Sequence, residues 1–335
     1  MHLQKDGCPA ASDHLLVFDA DWDRASRIAR DAGLAAGDPT IQSLAEARAA
    51  NYAYNLFWNV ALPPVRDSHD VCLEGPAGPF RLRIMHPRNT VRWTPRPVVL
   101  YFHGGGFVFN SVETHERTMR LLCRRAGATV IGVGYHLAPE HRYPCQLDEA
   151  EQALEWVIAS AETLDIDPRR IALAGDSAGA TLALSLALRL RDRERTEAIN
   201  HCLLFYGMFS MRLDTRSHRA FGHPPFGLTS SKVDWFWRAY LPDSRVAADP
   251  LAVPWRADLY DLPEIHLVAA EYDCLYDDTL DLHERLLAAH VPTTLSVAAG
   301  LPHSFLQQSA FVAAADAALG EAADRAAISF QRNSS

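Results

Sequence analysis

The chain has 335 residues, of which 48% are hydrophobic and 22% charged, with a formal net charge of −9 and a pI near 5.9. This length allows one large α/β domain or two smaller ones, and the composition is typical of a soluble globular protein. The acidic balance argues against a phosphate-backbone partner, which requires basic patches, so we expect no nucleic-acid binding.

Six cysteines are spread along the chain without the paired spacing of a zinc site or a disulfide framework. The polar start has no apolar core for a signal peptide, and the longest apolar run, residues 178–190, is too short to cross a bilayer. We therefore expect a cytoplasmic protein with no metal and no membrane association.

The N-terminal part, residues 1–66, predicts helices and no strand. A helix over residues 41–60 would place Tyr54, Phe57 and Trp58 on one face. We expect this aromatic face to pack against the body of the protein, the alternative being that it forms part of a lid over a ligand site.

From about residue 67, strand-like apolar runs alternate with helical patterns. Strands are predicted over residues 80–85, 98–102, 130–135, 171–174, 202–206, 265–271 and 294–297. Helices are predicted over residues 112–126, 146–161, 178–193, 278–290 and 307–328. The alternation predicts an α/β fold with a mainly parallel central sheet and helices on both faces.

Residues 207–262 interrupt this alternation. They predict no strand, and they contain a helix with Trp235, Phe236 and Trp237, of which at least one must face the core because adjacent helical positions diverge. The predicted organisation is therefore an N-terminal helical segment (1–66), a catalytic core (67–206 and 263–335) and an insertion (207–262).

The turn between residues 171–174 and the helix that follows carries Gly175-Asp176-Ser177-Ala178-Gly179. This is the nucleophile-elbow pattern, in which a serine sits at a sharp strand-to-helix turn. The two glycines are expected where a Cβ would collide. The first N–H groups of the helix point at any charge that develops beside the serine.

A serine nucleophile needs a base and an orienting acid, which follow it along the chain in this architecture. Asp273 and His303 come just after predicted strands, where active-site groups of parallel sheets lie. Asp277 and Asp278 are nearby carboxylates, but we interpret them as helix caps.

Acyl transfer also requires N–H donors for the oxyanion. His103-Gly104-Gly105-Gly106 follows the apolar strand at 98–102, and successive glycines let the backbone approach a ligand. Ala178, just past Ser177, would supply a further donor. A phosphate-binding loop is excluded because no lysine follows and no second glycine pattern opens a helix.

Five motifs in order carry a family resemblance. They are His103-Gly104-Gly105-Gly106-Phe107, Tyr135-His136-Leu137-Ala138-Pro139-Glu140, Gly175-Asp176-Ser177-Ala178-Gly179, Asp273-Cys274-Leu275-Tyr276-Asp277-Asp278 and Leu301-Pro302-His303-Ser304-Phe305. From about residue 40 onward the chain resembles the bacterial hormone-sensitive-lipase-type esterases of the α/β-hydrolase fold, most closely their acetyl esterase branch.

The resemblance implies Ser177 as nucleophile, His303 as base and Asp273 as acid. It implies an oxyanion hole from the N–H groups of Gly104, Gly105 and Ala178. It also implies a cap built from the N-terminal helices and the 207–262 insertion. The chain departs from the family pattern at four positions: His136 stands where arginine is usual, Gly134 where aspartate is common, Cys274 where proline is usual and Ser304 where glycine is usual.

These expectations describe a serine carboxylesterase, without cofactor or metal, that acts on a short-chain, acetyl-type small-molecule ester. An amide hydrolase that deacetylates an N-acetylated metabolite would use the same triad, and the sequence does not separate the two. A non-catalytic small-molecule receptor on this fold is a third alternative, although such proteins usually lack a triad member. Homodimer formation is left open.

Overall fold

The computed structural model describes residues 17–88 and 95–332. Eight strands form one sheet in the order β1-β2-β4-β3-β5-β6-β7-β8. They are β1 (Asp67–Gly75), β2 (Gly78–His86), β3 (Arg96–Phe102), β4 (Thr129–Gly134), β5 (Ile166–Asp176), β6 (His201–Phe205), β7 (Glu264–Tyr272) and β8 (Thr293–Pro302). β2 pairs antiparallel with both β1 and β4, and all other pairings are parallel.

Helices cover both faces of the sheet. They are α1 (Ala20–Asp31), α2 (Leu44–Phe57), α3 (Glu116–Ala126), α4 (Cys145–Ala159), α5 (Ala161–Leu164), α6 (Ala178–Asp192), α7 (Arg216–Phe221), α8 (Ser230–Tyr240), α9 (Tyr276–Ala288) and α10 (Ala313–Arg332). α4, α6 and α9 share one apolar cluster with the sheet, and α1, α3 and α10 share another. The predicted α/β class with a mainly parallel sheet is confirmed.

The centre of the sheet explains why the core predictions hold. Every residue of β3 is buried, and so is every residue of α6 from 178 to 190. Each leucine buried in this way contributes roughly 1.5–3 kcal/mol to stability. The continuous apolar runs in the sequence therefore correspond to a strand and a helix that are covered on all sides.

The structure differs from the prediction mainly at the edges of the sheet. β1 was not predicted, because as an edge strand it buries only Leu73 and lacks an apolar run. The closing helix begins at Ala313 rather than at 307, since Phe305–Gln308 forms a separate 3-10 turn. In the insertion, α7 precedes the predicted aromatic helix, which is α8.

No helix in the described ranges combines the length and apolar character needed to span a membrane. The cysteines that lie in these ranges are all unpaired thiols, namely Cys72, Cys123, Cys145, Cys202 and Cys274.

Two histidines on neighbouring strands are buried in the apolar interior. His201 on β6 is fully buried, and neither of its ring nitrogens has a hydrogen-bond partner among the described residues. Burial lowers the pKa of His201 to about 3 and that of His266 on β7 to about 4. Both imidazoles are therefore neutral in the folded protein at pH 7.

We expect the free energy of unfolding to decrease as the pH falls from about 6.5 towards 4. The unfolded chain takes up protons near pH 6.5, whereas the folded chain cannot protonate these rings until the pH approaches their depressed pKa values. His201→Leu should remove about 2 kcal/mol of the stability difference between pH 7 and pH 5, measured by urea unfolding. His223→Gln, at an exposed histidine, is the control. An unchanged pH dependence in His201→Leu would contradict the prediction.

Candidate active site

The turn between β5 and α6 is as sharp as its glycines suggest. Ser177 lies between the two elements with φ 54° and ψ −121°, a conformation that a non-glycine residue rarely adopts. A Cβ at Gly175 would meet the Gly179 carbonyl, and one at Gly179 would overlap the Phe102 carbonyl. The surrounding structure holds the strained serine in place, partly through its N–H, which donates to the Phe205 carbonyl at 2.9 Å.

Three side chains from distant parts of the chain form a continuous hydrogen-bonded line. His303 Nε2 lies 2.9 Å from Ser177 Oγ, and His303 Nδ1 lies 2.6 Å from Asp273 Oδ2. With the proton on Nδ1, the ring donates to the carboxylate and accepts from the serine hydroxyl. His303 directly follows β8, which extends to Pro302 rather than ending at the predicted 297. All three residues are buried.

The orientation of the acid is also controlled. The second oxygen of Asp273 accepts the Leu275 N–H at 3.0 Å, which leaves Oδ2 directed at the imidazole. The ring of Tyr206 packs edge-on against His303, with 5.0 Å between ring centroids. These contacts fix both the carboxylate and the imidazole before any ligand arrives.

The alternative carboxylates have different partners. Asp277 accepts the Ser217 N–H at 2.9 Å, and Asp278 accepts both the N–H and the hydroxyl of Ser210. Burial raises the pKa of Asp278 to about 6. The interpretation of Asp277 and Asp278 as helix caps is therefore incomplete. Both carboxylates also accept hydrogen bonds from the chain that follows β6, and so link it to the first turn of α9.

The structure corrects the predicted oxyanion hole at one residue. The Gly104 N–H donates to Asp176 Oδ1 at 2.9 Å, so this group is already engaged and is not free for a ligand. Tyr101 donates to the same oxygen at 2.7 Å. Burial alone would raise the pKa of Asp176, but the neighbouring His115 and the hydrogen bond from Tyr101 hold it below its usual value. Asp176 is thus an ionised anchor between the elbow and the glycine loop.

The next two glycines present free N–H groups instead. Gly105 has φ 117° and Gly106 has φ 61°, and a Cβ would collide with the Phe109 carbonyl or with the Phe236 ring. Their N–H groups donate to no residue that the structure describes. Ala178 opens α6, so its N–H has no intrahelical partner. Gly105, Gly106 and Ser177 line the same cavity, and Ala178 directly follows Ser177.

The glycine loop is tied to the N-terminal segment through Asn110. The side chain of Asn110 donates to the Gly104 carbonyl at 3.3 Å and accepts from Asn51 at 2.7 Å and Asn55 at 3.1 Å. Arg48 adds a second link from α2, with Nε donating to the Val108 carbonyl at 3.0 Å. The sequence placed Gly106 in the glycine run and Asp176 in the elbow motif, but it did not predict their roles in the site. It gave no signal for Asn110.

A cavity of about 400 Å³ opens above Ser177 and His303. Its walls come from three parts of the chain: α1 and α2 with the segment between them, the insertion, and the catalytic core. Tyr54 on α2 lines the cavity, whereas Trp58, directly after α2, is buried against Phe311, as expected of a residue that packs against the body of the protein.

The aromatic residues of α8 divide in the same way. Phe236 lines the cavity, and Trp237 is buried with its indole N–H donating to the Ser210 carbonyl at 3.0 Å. The expectation that at least one of the three aromatic residues faces the core is met by Trp237.

Comparisons with known proteins agree with this architecture. The family profile for the alpha/beta hydrolase fold matches residues 99–307. An acetyl esterase of Salmonella paratyphi A is 36% identical over 269 residues, which cover 80% of this chain and 81% of that protein.

Two solved structures are also similar. One is a thermostable carboxylesterase from a metagenomic library, with a TM-score of 0.83, 34% identity and coverage of 87% of this chain and 98% of that one. The other is a Pyrobaculum calidifontis esterase, with a TM-score of 0.82, 32% identity and coverage of 86% and 94%. The chain belongs to the α/β-hydrolase family and, within it, to the hormone-sensitive-lipase-type esterases.

Proposed function

We propose that the protein is a serine carboxylesterase that hydrolyses short-chain, acetyl-type esters of small molecules. The observation that carries the proposal is the hydrogen-bonded line from Ser177 through His303 to Asp273 at the floor of a cavity. The named activities of the relatives, an acetyl esterase and a carboxylesterase, support ester hydrolysis.

In the proposed first step, the Ser177 hydroxyl attacks the ester carbonyl and His303 Nε2 takes its proton. Asp273 holds the imidazole with Nδ1 protonated and stabilises the cation that forms. The negative charge on the former carbonyl oxygen is met by the N–H groups of Gly105, Gly106 and Ala178. Gly104 serves the reaction indirectly, by bonding the glycine loop to Asp176.

His303 then gives its proton to the departing alkoxide, and the alcohol leaves an acyl group on Ser177. Water attacks this acyl-enzyme while His303 accepts one of its protons, and the acid leaves as Ser177 regains its hydrogen. All proton transfers occur at the one nitrogen that lies 2.9 Å from Ser177 Oγ. No protein side chain other than Ser177 and His303 needs to change its protonation state in either half of the reaction.

We further propose that a cap covers the core of residues 67–206 and 263–335. The cap consists of the N-terminal helices, with residues 34–37 between them, and the insertion. The proposal rests on the cavity walls, to which both segments contribute. Lys232 on α8 lies 3.4 Å from Asp38, which links the two cap segments to each other. The unpaired thiols are consistent with the cytoplasmic location that we propose.

A series of p-nitrophenyl esters tests the acyl preference. Met208, Phe109 and Phe236 line the cavity beside Ser177 and limit the room for a long chain. We expect kcat/KM to peak at acyl chains of about two to four carbons and to fall at least about tenfold by eight. A maximum at eight carbons or more would reject the short-chain preference while leaving the esterase assignment intact.

Asn110→Gly tests whether the link to α2 positions the oxyanion donors. Glycine suits the left-handed backbone at this position (φ 72°), so the variant removes the side chain without adding strain. We expect kcat to fall roughly ten- to a hundredfold with little change in KM, because the donors are displaced only slightly. Tyr52→Ala, at an exposed position of α2, is the control. A higher KM with an unchanged kcat would contradict a positioning role for Asn110.

Amide hydrolysis is the alternative that the sequence left open. The relatives are named as esterases, and this favours the ester. Rates for matched O-acetyl and N-acetyl substrates distinguish the two activities directly. A faster rate for the N-acetyl substrate would make amide hydrolysis the favoured activity.

A further inference from the structure

A second cluster of reactive side chains lies outside the cavity. His136 follows β4, and Cys145 and Glu149 lie four residues apart on one face of α4. His136 Nδ1 is 2.5 Å from Glu149 Oε1, and Cys145 Sγ is 3.7 Å from the same oxygen. One donor atom from each residue falls within 4.8 Å of the other two. None of the three lines the cavity above Ser177.

Glu149 lies between the other two side chains of the cluster. Glu149 is fully buried, and its described partners are the backbone N–H and imidazole of His136 and the thiol of Cys145. The same oxygen, Glu149 Oε1, lies within hydrogen-bond distance of both other side chains, so a nitrogen, a sulfur and an oxygen donor converge on one buried point. A dication would balance one carboxylate and one thiolate.

We propose that His136, Cys145 and Glu149 form a binding site for a zinc-type dication. Nitrogen, sulfur and carboxylate oxygen are the donor set that Zn²⁺ prefers, and tetrahedral coordination places such donors about 3.3–3.8 Å apart. The imidazole and the carboxylate must therefore separate by only about 1 Å. Solvent can supply the fourth ligand. A further imidazole, that of His141, has its ring centroid 4.5 Å from that of His136.

Binding balances in protons and charge. The metal takes the place of the hydrogen between His136 Nδ1 and Glu149. The imidazole binds in its neutral form with one proton on Nε2, and any second ring proton leaves to solvent. The Cys145 thiol gives its proton to solvent and binds as thiolate. The side chain of His136 is 23% exposed, so an ion has a route to the cluster.

The spacing of residues 136, 145 and 149 is not a zinc signature, and the sequence therefore predicted no metal. Only the packing of the loop after β4 against the start of α4 brings the donors together. Gln146 fixes that packing, since its Nε2 donates to the carbonyls of His136 and His141. His136 stands where the family usually has arginine, whose permanent charge would pair with Glu149 and repel a cation.

Cobalt binding provides the test, because a thiolate ligand produces a charge-transfer band in the near ultraviolet. The protein is stripped with a chelator and titrated with Co²⁺ and, by calorimetry, with Zn²⁺. To remove competing thiols, all variants carry Cys8→Ser and Cys72→Ser. We expect one equivalent to bind with a thiolate band in this background. Cys145→Ser should abolish the band, and His136→Arg should weaken Zn²⁺ binding at least about tenfold.

Each outcome bears on the proposal. Circular dichroism and metal-free ester hydrolysis show that the two variants are folded. Absence of a thiolate band at saturating Co²⁺ would overturn the proposal, and so would a band of equal strength in the folded Cys145→Ser variant. Unchanged Zn²⁺ affinity in His136→Arg would remove His136 from the site.

Discussion

Ser177→Ala is expected to lower kcat for p-nitrophenyl acetate on the order of 10⁶-fold. The variant has no hydroxyl for His303 to deprotonate, so the acyl-enzyme route is closed. The fold should persist, because alanine meets the same backbone constraint at φ 54° as serine does. KM should change little, since the cavity walls are untouched. Steady-state kinetics and circular dichroism measure the two effects.

Ser26→Ala is the matched control for this substitution, because Ser26 also lines the cavity but lies in α1. It should change kcat by less than about threefold. A serine-directed fluorophosphonate should add its mass to the wild type and to Ser26→Ala, but not to Ser177→Ala. Hydrolysis by Ser177→Ala at the wild-type rate would remove Ser177 from the mechanism.

Asp273→Asn is expected to reduce kcat about 10⁴-fold. The amide has nearly the same shape as the carboxylate, but it stabilises the wrong tautomer of His303 and cannot offset the charge of the imidazolium. The hydrogen bond of 2.6 Å to Nδ1 would be replaced by a weaker one. Single-turnover measurements with p-nitrophenyl acetate separate this loss in acylation from any change in deacylation.

Asp277→Asn distinguishes this prediction from the alternative acid. Asp277 accepts the Ser217 N–H and does not contact His303, so we expect less than a tenfold loss of kcat, with a lower midpoint of urea unfolding. If Asp277→Asn lost as much activity as Asp273→Asn, the assignment of Asp273 as the acid would be contradicted.

Much of the fold was predictable because its central elements are apolar throughout. β3 and α6 have long runs without a charged residue until their ends, and both are covered on all sides. The turn at Ser177 was predictable for a different reason. Its glycines are required by the close approach of strand and helix, which any chain with this turn must satisfy.

The residues that sequence reasoning missed act through contacts that depend on the finished fold. Asp176 reaches Gly104 across 72 positions of the chain, and Asn110 reaches Asn51 across 59. An aspartate after a glycine and an asparagine in a loop have many possible partners. The same reason applies to Gly104, because its N–H donates to a carboxylate on another element and we therefore propose Gly105 and Gly106 as the oxyanion donors of this loop.

The bond network of Asn110 has a practical consequence for chimeric enzymes. Asn51 and Asn55 belong to α2, whereas Gly104 belongs to the loop after β3, and a single amide joins them. An exchange of N-terminal segments between homologues, made to alter substrate range, would break this junction unless positions 51, 55 and 110 were transplanted as a set. Libraries that recombine the chain near residue 60 should keep these three positions from the same parent.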